Sequence, residues 1–404
     1  MAQRTVQPID EYPIGAPDGA PFALLSQLRE HAPVALLGDG RYFVTRYEDV
    51  LDALRRIDEF VGSMRDPEVR VPTDQMLLIE MAEPRHGRIR RFFNTGVSKA
   101  RVAQLEPWIR SLCEDAIDRI LVRSGPTDLA AAYVRSMPTS VIARLVGASA
   151  DDHEQIAAWV DELSNSEYLS RNRGPLGVGL EHGFPDFYRY LHEMVTTRRA
   201  DAEADDFIAQ LIRTEVDGTR LSDNEILAIV ALMLQAGSET TRHLLANILV
   251  HVANEPSTLD DLHQDKTLVA GFVEEMLRLY PPVTVLLRNV ASGTDLGGCP
   301  FTGAGKALLS ISSANRDDAV FEGPDELRLG RPNGLSHLAF GGGPHVCPGA
   351  ALARLEARVA TDVLVERVRR IELDPQWRYR AVPVFWANGP VDVVGTMMAR
   401  GDAR

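Results

Sequence analysis

Phe340-Gly-Gly-Gly-Pro-His-Val-Cys347-Pro-Gly349 is the stretch on which the reading of this chain turns. A glycine-rich run ends in a single cysteine, and an apolar-periodic segment, Ala350 to about Glu366, follows as a helix. A thiolate at that point receives the positive end of the helix dipole and nearby backbone N–H donors, so its pKa is expected to be depressed. Such a sulfur is a nucleophile or a soft ligand to a metal; a small buried hydrophobe beside a turn is the ordinary alternative. Glycines let the backbone pass close to something flat or bulky, since they lack a Cβ and tolerate unusual dihedrals. The combination suits a cysteine bound to haem iron, where a thiolate pushes electron density onto the metal.

The chain has 404 residues, 45% of them hydrophobic and 25% charged, with no linker-like tract and no internal repeat. One globular domain over residues 1–404 is expected, with a core large enough to enclose a cofactor. A net charge of −14 argues against nucleic acid as a partner. Cys113, Cys299 and Cys347 are odd in number and widely spaced, which fits neither a disulfide framework nor a zinc site and points to a cytoplasmic protein. The N-terminus carries no apolar signal region, and the longest apolar run, Ile226–Leu234, is far short of a bilayer span, so no membrane partner is expected.

Helical periodicity dominates. Helices are expected over Pro21–His31, Tyr47–Ile57, Arg85–Asn94, Ala100–Val122, Ala132–Val146, Asp151–Glu162, Phe184–Arg199, Ala204–Glu215 and Leu268–Tyr280. The longest starts at Ser222, which with Glu225 forms a capping box, and runs to about Glu255, where Pro256 stops it. Short strands are expected at Arg41–Val44 and within residues 283–312 and 378–397. Ser164–Gly183, with glycines at 174, 177, 179 and 183, reads as a flexible connection or lid. The fold class is mainly α with minor β sheets.

Three further constellations accompany the cysteine loop. Ala236-Gly-Ser-Glu239-Thr240-Thr241 lies in the middle of the long helix. Gly237 there costs ~1 kcal/mol relative to alanine, and Thr240 can turn its hydroxyl back to the Ala236 carbonyl and open the helix. A small-residue helix crossing beside an exposed glutamate is the alternative. Glu275 and Arg278 share a helix face, as either a solvated pair or a buried one. His86 and Arg90 lie four apart in Glu83-Pro-Arg-His86-Gly-Arg-Ile-Arg90-Arg91. From Pro84 to Leu105 there is no acid, while Arg85, Arg88, Arg90, Arg91, Lys99 and Arg101 occur, which is either a solvated face or a steering surface.

In order and spacing, from about residue 80 to residue 350, these motifs resemble those of the cytochrome P-450 family. Residues 340–349 match its haem-binding loop, Phe-Gly-x-Gly-x-His-x-Cys-x-Gly, at every defined position. The resemblance implies a single-domain cytochrome P-450 fold of the soluble bacterial type. Its haem b pocket would lie between the long helix at about 222–255 and the loop 340–349. Cys347 would be the axial iron ligand, with Phe340, Gly341, Gly349 and Ala236 against the cofactor. His86, Arg90, Arg288 and His345 would meet the haem propionates. Glu275 and Arg278 would be structural. Thr240 and Glu239 would be catalytic, the first stabilising the iron-bound oxygen species and the second relaying protons. In place of the acidic, proline-rich segment the family often has before the histidine, this chain has Ala82-Glu-Pro-Arg85.

The implied activity is monooxygenation: one atom of O2 enters an organic substrate by hydroxylation, epoxidation or oxidative coupling, as in secondary metabolism. No flavin or nucleotide fingerprint is present, so ferredoxin and ferredoxin reductase are the expected electron donors. The pocket wall is expected from Met76, Leu77, the lid at 164–188, Leu232, Val283, Val285, Leu286 and Trp386, largely apolar and suited to a lipophilic or aromatic guest. A peroxide-using or rearranging haem-thiolate enzyme would not need Glu239 and Thr240. A haem-thiolate sensor would need neither them nor a lid. A hydrolase built on Cys347 and His345 would carry nucleophile and base only two residues apart, a spacing that rarely sets their geometry.

Overall fold

The capping signal at Ser222 begins the element around which the molecule is arranged. The Glu225 amide donates to Ser222 Oγ at 3.3 Å and the Ser222 amide to Glu225 Oε2 at 2.8 Å. From there the helix runs unbroken over Asp223–Asn254, 32 residues, or ~48 Å at 1.5 Å per residue. Most of its side chains are buried, as expected of a helix that is apolar on every side. The helices Ser136–Val146, His153–Asn165, Pro185–Ala200 and Ala350–Arg367 pack directly on it. One apolar core joins them, with Ile142, Val160, Leu191, Leu244 and Val363 among its members.

A computed structural model describes residues 6–9, 18–63, 65, 67, 76–165, 180–216, 218–301, 303 and 305–401. Beside the helical body lies a six-stranded sheet in the order Gln7–Ile9, Val34–Leu37, Tyr42–Val44, Gly305–Ser310, Val285–Val290 and Phe60–Gly62. Strand alternation gives it two apolar faces. Val34, Phe60 and Ala307 pack on one side, and Leu25, Phe43, Val285 and Leu308 on the other. A smaller antiparallel sheet pairs Val368–Leu373 with Val394–Ala399 and the latter with Thr127–Asp128. Among the described residues, no helix is long and apolar enough to cross a membrane.

Several expected elements differ in detail. The helix expected over Ala100–Val122 is two, Lys99–Ala103 and Glu106–Leu121. Pro107 stands in the first turn of the second, where a missing N–H is harmless; in a continuous helix its ring would meet the carbonyl of Ala103. The segment before Val146 starts as a π-helical turn, Ala130–Val134, followed by Ser136–Val146. Residues 378–393 hold no strand, only the isolated bridges Val283↔Ala387 and Ala381↔Pro390. Strand Val368–Leu373 follows its helix without a loop, so no turn residue announces it in the sequence. Residues 166–179 of the expected lid fall outside the described residues.

Ser222→Ala removes the acceptor that starts the long helix. A loss of about 1 kcal/mol is expected, seen as a lower urea midpoint while the visible absorption of the folded protein stays the same.

Candidate functional site

The cysteine loop is held in a narrow shape by its own backbone. The Cys347 amide donates to the Phe340 carbonyl at 2.8 Å, closing the loop on itself. Gly341 and Gly343 have φ of 72° and 64°, in the left-handed region. A Cβ on Gly343 would lie 2.4 Å from the carbonyl oxygen of Leu54, so the loop seats directly against the helix Tyr47–Arg55. Gly349 then begins Ala350–Arg367. Of the three cysteines, Cys113 and Cys299 are core residues, whereas Cys347 is only half-buried.

The expected depression of the Cys347 pKa does not occur. Burial pushes the thiol up, and the Gly349 and Ala350 amides, Arg90 and Arg354 offset this only in part. The helix terminus alone does not hold this sulfur as a thiolate; a metal ion bound there would take the place of its proton.

Behind the loop stands a buried charge network. Glu275 and Arg278 are at most 1% exposed and make a two-point pair, Nε to Oε1 at 2.7 Å and Nη2 to Oε2 at 2.9 Å. The guanidinium also donates to the carbonyls of Asn315, Pro324 and Glu326. Glu275 accepts from Arg331 Nε at 3.0 Å and from the Arg328 amide at 3.0 Å. Burial raises the Glu275 carboxyl, but Arg278, the Arg328 amide and Arg331 outweigh it, and the net shift is downward. The alternative of a solvated surface pair is therefore excluded.

A second acid does similar work that the sequence did not single out. Glu274 accepts from Arg354 at 2.7 and 2.9 Å and lies 3.0 Å from His337 Nε2. These partners overcome its burial and hold it down at about 2. Arg354 in turn covers the Phe340 ring, 4.5 Å from its centroid. The signal was present as two adjacent glutamates facing an arginine seven residues after the cysteine, but only tertiary contact pairs them.

On one side of the loop the structure gathers nitrogen donors. His86 is buried and its ring lies 4.2 Å from that of His345, centroid to centroid. Arg288 is buried on strand Val285–Val290; its one hydrogen bond described here runs from Nη1 to the adjacent Leu287 carbonyl, and its Nε has no partner. His86 Nε2 is likewise buried and unpartnered, while its Nδ1 lies 2.8 Å from Glu83 Oε1. The departure from the family's acidic segment thus still supplies an acid to orient the ring. Burial lowers Arg288 to about 10. Burial, then His86, Arg288 and Arg90, lowers His345 to about 4. Arg90 donates to the Val346 carbonyl and to Asn94 Oδ1 at 3.2 Å, which places it against the cysteine loop itself. Buried donors crowded together in this way fit an anionic group, such as the two carboxylates of a haem.

The long helix contributes one less-buried stripe. Leu232, Ala236 and Thr240, at i, i+4 and i+8, are half-buried, exposed and half-buried in turn, on a helix otherwise mostly enclosed. Thr240 donates its hydroxyl to the Ala236 carbonyl at 2.8 Å, as expected, yet the helix is not opened there. Gly237 has a different reason: a Cβ would sit 3.0 Å from Ile142 of the crossing helix. The packing explanation is correct for the glycine, but Glu239 is not exposed. It is 3% accessible, with one carboxylate oxygen unpartnered.

Of the expected pocket residues, Met76, Leu77, Val283, Leu286 and Trp386 are half-buried. Leu286 Cδ1 is 3.6 Å from where a Gly341 Cβ would be. Val285 is 1% exposed and belongs to the core with Leu25 and Phe43; alternation turns it away from Leu286 and Arg288. Arg85 leaves the expected basic patch, since it pairs with the capping residue Glu225.

The family model for cytochrome P450 matches residues 31–376. A steroid C26-monooxygenase of Mycobacterium tuberculosis is 32% identical over 350 residues, 86% of this chain and 91% of that protein. An erythromycin C-12 hydroxylase of Saccharopolyspora erythraea is 32% identical over 369 residues, 91% of each chain. A solved cytochrome P-450 from Chondromyces apiculatus superposes with a TM-score of 0.84 at 30% identity, over 97% of this chain and 99% of that one. This chain belongs to the cytochrome P-450 family. It is a haem-dependent monooxygenase.

Glu275→Ala strands Arg278 and Arg331 in the interior, at a cost of about 3–5 kcal/mol. Haem content per polypeptide after purification should fall sharply, and retention of both haem and the wild-type urea midpoint would contradict the network's role.

Proposed function

We propose that this chain inserts one oxygen atom into a lipophilic substrate of roughly steroid-to-macrolide size, with Cys347 as the iron ligand. The observation that carries this reading is the less-buried stripe Leu232–Ala236–Thr240 on a helix otherwise mostly enclosed. It supplies a small, apolar surface with one hydroxyl at its end. The names of the two relatives, a steroid and a macrolide hydroxylase, agree with an apolar guest of that size. Haem with a thiolate ligand supplies dioxygen activation.

The chain's own residues do the rest. Arg288 would neutralise the cofactor's carboxylates, and His86 and His345 would offer them hydrogen bonds, where water is excluded. Arg354 and the Phe340 carbonyl fix the loop, so Cys347 arrives at the metal with little left to reorganise. Thr240 commits its only hydroxyl proton to Ala236. Its oxygen is then left as an acceptor, able to take a hydrogen bond from a proton carrier at Oγ1. Glu239, the adjacent acid, is that carrier.

Electrons are supplied by an acidic ferredoxin docking over Arg91, Lys99 and Arg101, which are exposed on the helices that begin at Arg85 and Lys99. Positive charge in a chain of net charge −14 steers such a partner.

Reduced protein under carbon monoxide should show the strongly red-shifted Soret band of a thiolate ligand, and Cys347→Ser should abolish it together with turnover. Thr240→Ala should keep that band but divert electrons to hydrogen peroxide; full coupling in this variant would refute the role given to the hydroxyl. Reversing charge with Lys99→Glu and Arg101→Glu together should raise the KM for ferredoxin about tenfold at low salt, an effect that vanishes at high ionic strength. An unchanged KM would move the docking surface elsewhere.

A further inference from the structure

Glu239 cannot take protons from bulk water directly. Its side chain is 3% exposed, on a helix face enclosed by packing. The next residue but two along the chain that could serve it, Arg242, is committed to Asp161 on the helix His153–Asn165, at 2.5 Å. The titratable group that does face Glu239 is His243, one turn further on, also 3% exposed, with Nε2 3.4 Å from Oε1. Oε2 has no partner at all. A buried carboxylate with one free oxygen and a long contact on the other is poorly satisfied, which marks a group held for use.

The seat of the imidazole is specific. A Cβ on Gly389 would fall 2.4 Å from His243 Nδ1 and 2.7 Å from Cγ, so glycine at 389 is what leaves the ring its place. That segment is tied to the long helix, because Asn247 Nδ2 donates to the Asn388 carbonyl at 2.9 Å. Asn388 Nδ2 also donates to the Pro281 carbonyl at 3.2 Å. Three segments distant in sequence therefore fix one ring against one carboxyl.

We propose that His243 is a positioning residue for Glu239, sharing a proton with it and reloading it after each transfer. The inference rests on Glu239 being the proton carrier. With both groups protonated, the O–H bond at Oε2 breaks as the proton leaves toward Thr240. The N–H bond at Nε2 breaks as an O–H bond forms at Oε1. The pair goes from one net positive charge to none, so no isolated buried carboxylate is ever formed. A proton returning from solvent to Nε2, the nitrogen left bare, with rotation of the acid that brings its O–H back to the place of Oε2, restores the starting state.

The test uses the full-length, haem-loaded protein, reduced by a plant-type ferredoxin and its reductase, without organic substrate. Oxygen consumed and hydrogen peroxide formed are measured together, so the flux carried beyond peroxide to water is known. His243→Asn should lower that flux roughly tenfold, while the reduced carbon monoxide spectrum stays that of the wild type. Added to Glu239→Gln, it should change nothing further, because it acts through that acid. Gly389→Ala, which displaces the ring without touching Glu239, should lower the flux in the same direction, and supplies the readout if His243→Asn fails to hold haem.

If Glu239→Gln shifts the partition and neither His243→Asn nor Gly389→Ala does, the role of His243 is overturned and that of Glu239 stands. If Glu239→Gln leaves it unchanged, the carrier reading fails and this inference with it. Additive losses in the double variant would reduce His243 to a packing residue and overturn the proposal.

Discussion

The constraint on which the site depends is the burial of Arg278. A guanidinium with no solvent contact must satisfy its N–H groups from protein atoms, and here they reach Glu275 and three carbonyls of residues 315–326. Those carbonyls belong to an irregular segment of successive turns, and the cation joins their ends at one point. Glu275 carries the same restraint on to Arg331, and Asn315 Oδ1 accepts from the Leu338 amide at 2.7 Å, two residues before the loop begins. A chain of hydrogen bonds, most of them charge-assisted, thus runs from a rigid helix to the start of the cysteine loop. The net gain in stability from such a network is small, because desolvation opposes it. Its value is geometric.

The same economy explains the neighbouring Glu274. One helix turns two consecutive carboxylates to different tasks, the first holding Arg354 and His337, the second holding Arg278 and Arg331. Arg354 closes over Phe340, so the loop is gripped at its beginning through the ring and at its end through the helix that follows Cys347. The donors on the other flank work by a different rule. Burial lowers the proton affinity of Arg288, and burial with the nearby charges of His86, Arg288 and Arg90 lowers that of His345, a costly arrangement unless an anion enters it. Haem, with two carboxylates on an apolar ring, meets both requirements at once.

How much of this was legible follows from the range of the interactions. The cysteine loop, Glu275 with Arg278 and Ala236–Thr241 are local patterns, and each appears at its expected place because a single stretch of chain carries both the geometry and the chemistry. What escaped the sequence is what two distant stretches decide together. The grip of Glu274 on Arg354 spans 80 residues. Arg85 was taken into a basic patch because Glu225, its partner, lies on another helix. Val285 was placed on a pocket wall because apolar character does not tell which face of a strand looks inward. The Cys347 thiol was expected to be acidic from the helix terminus, a local effect, and burial, a global one, outweighs it.

The long helix shows how closely those two kinds of information can interleave. Within one turn, Gly237 answers to Ile142 on a crossing helix, Thr240 to its own helix at Ala236, and Glu239 to His243 one turn on. The glycine reads as a functional signal in sequence, yet its demand is steric. An exposed surface charge is one of the two readings the glutamate allows in sequence, and it is enclosed instead. A 32-residue helix buried for most of its length has few positions left for polar atoms, and each must be compensated within reach. The polar side chains in the Ser238–Thr241 segment are therefore arranged by what the helix can satisfy: Ser238 on the Leu234 carbonyl at 2.6 Å, Thr240 on the Ala236 carbonyl, Thr241 toward the buried acid Glu356. Glu239 alone keeps an oxygen with nothing to bind. In a helix that settles its neighbouring polar groups, that unmet oxygen is the atom the proposed proton transfer from Glu239 would use.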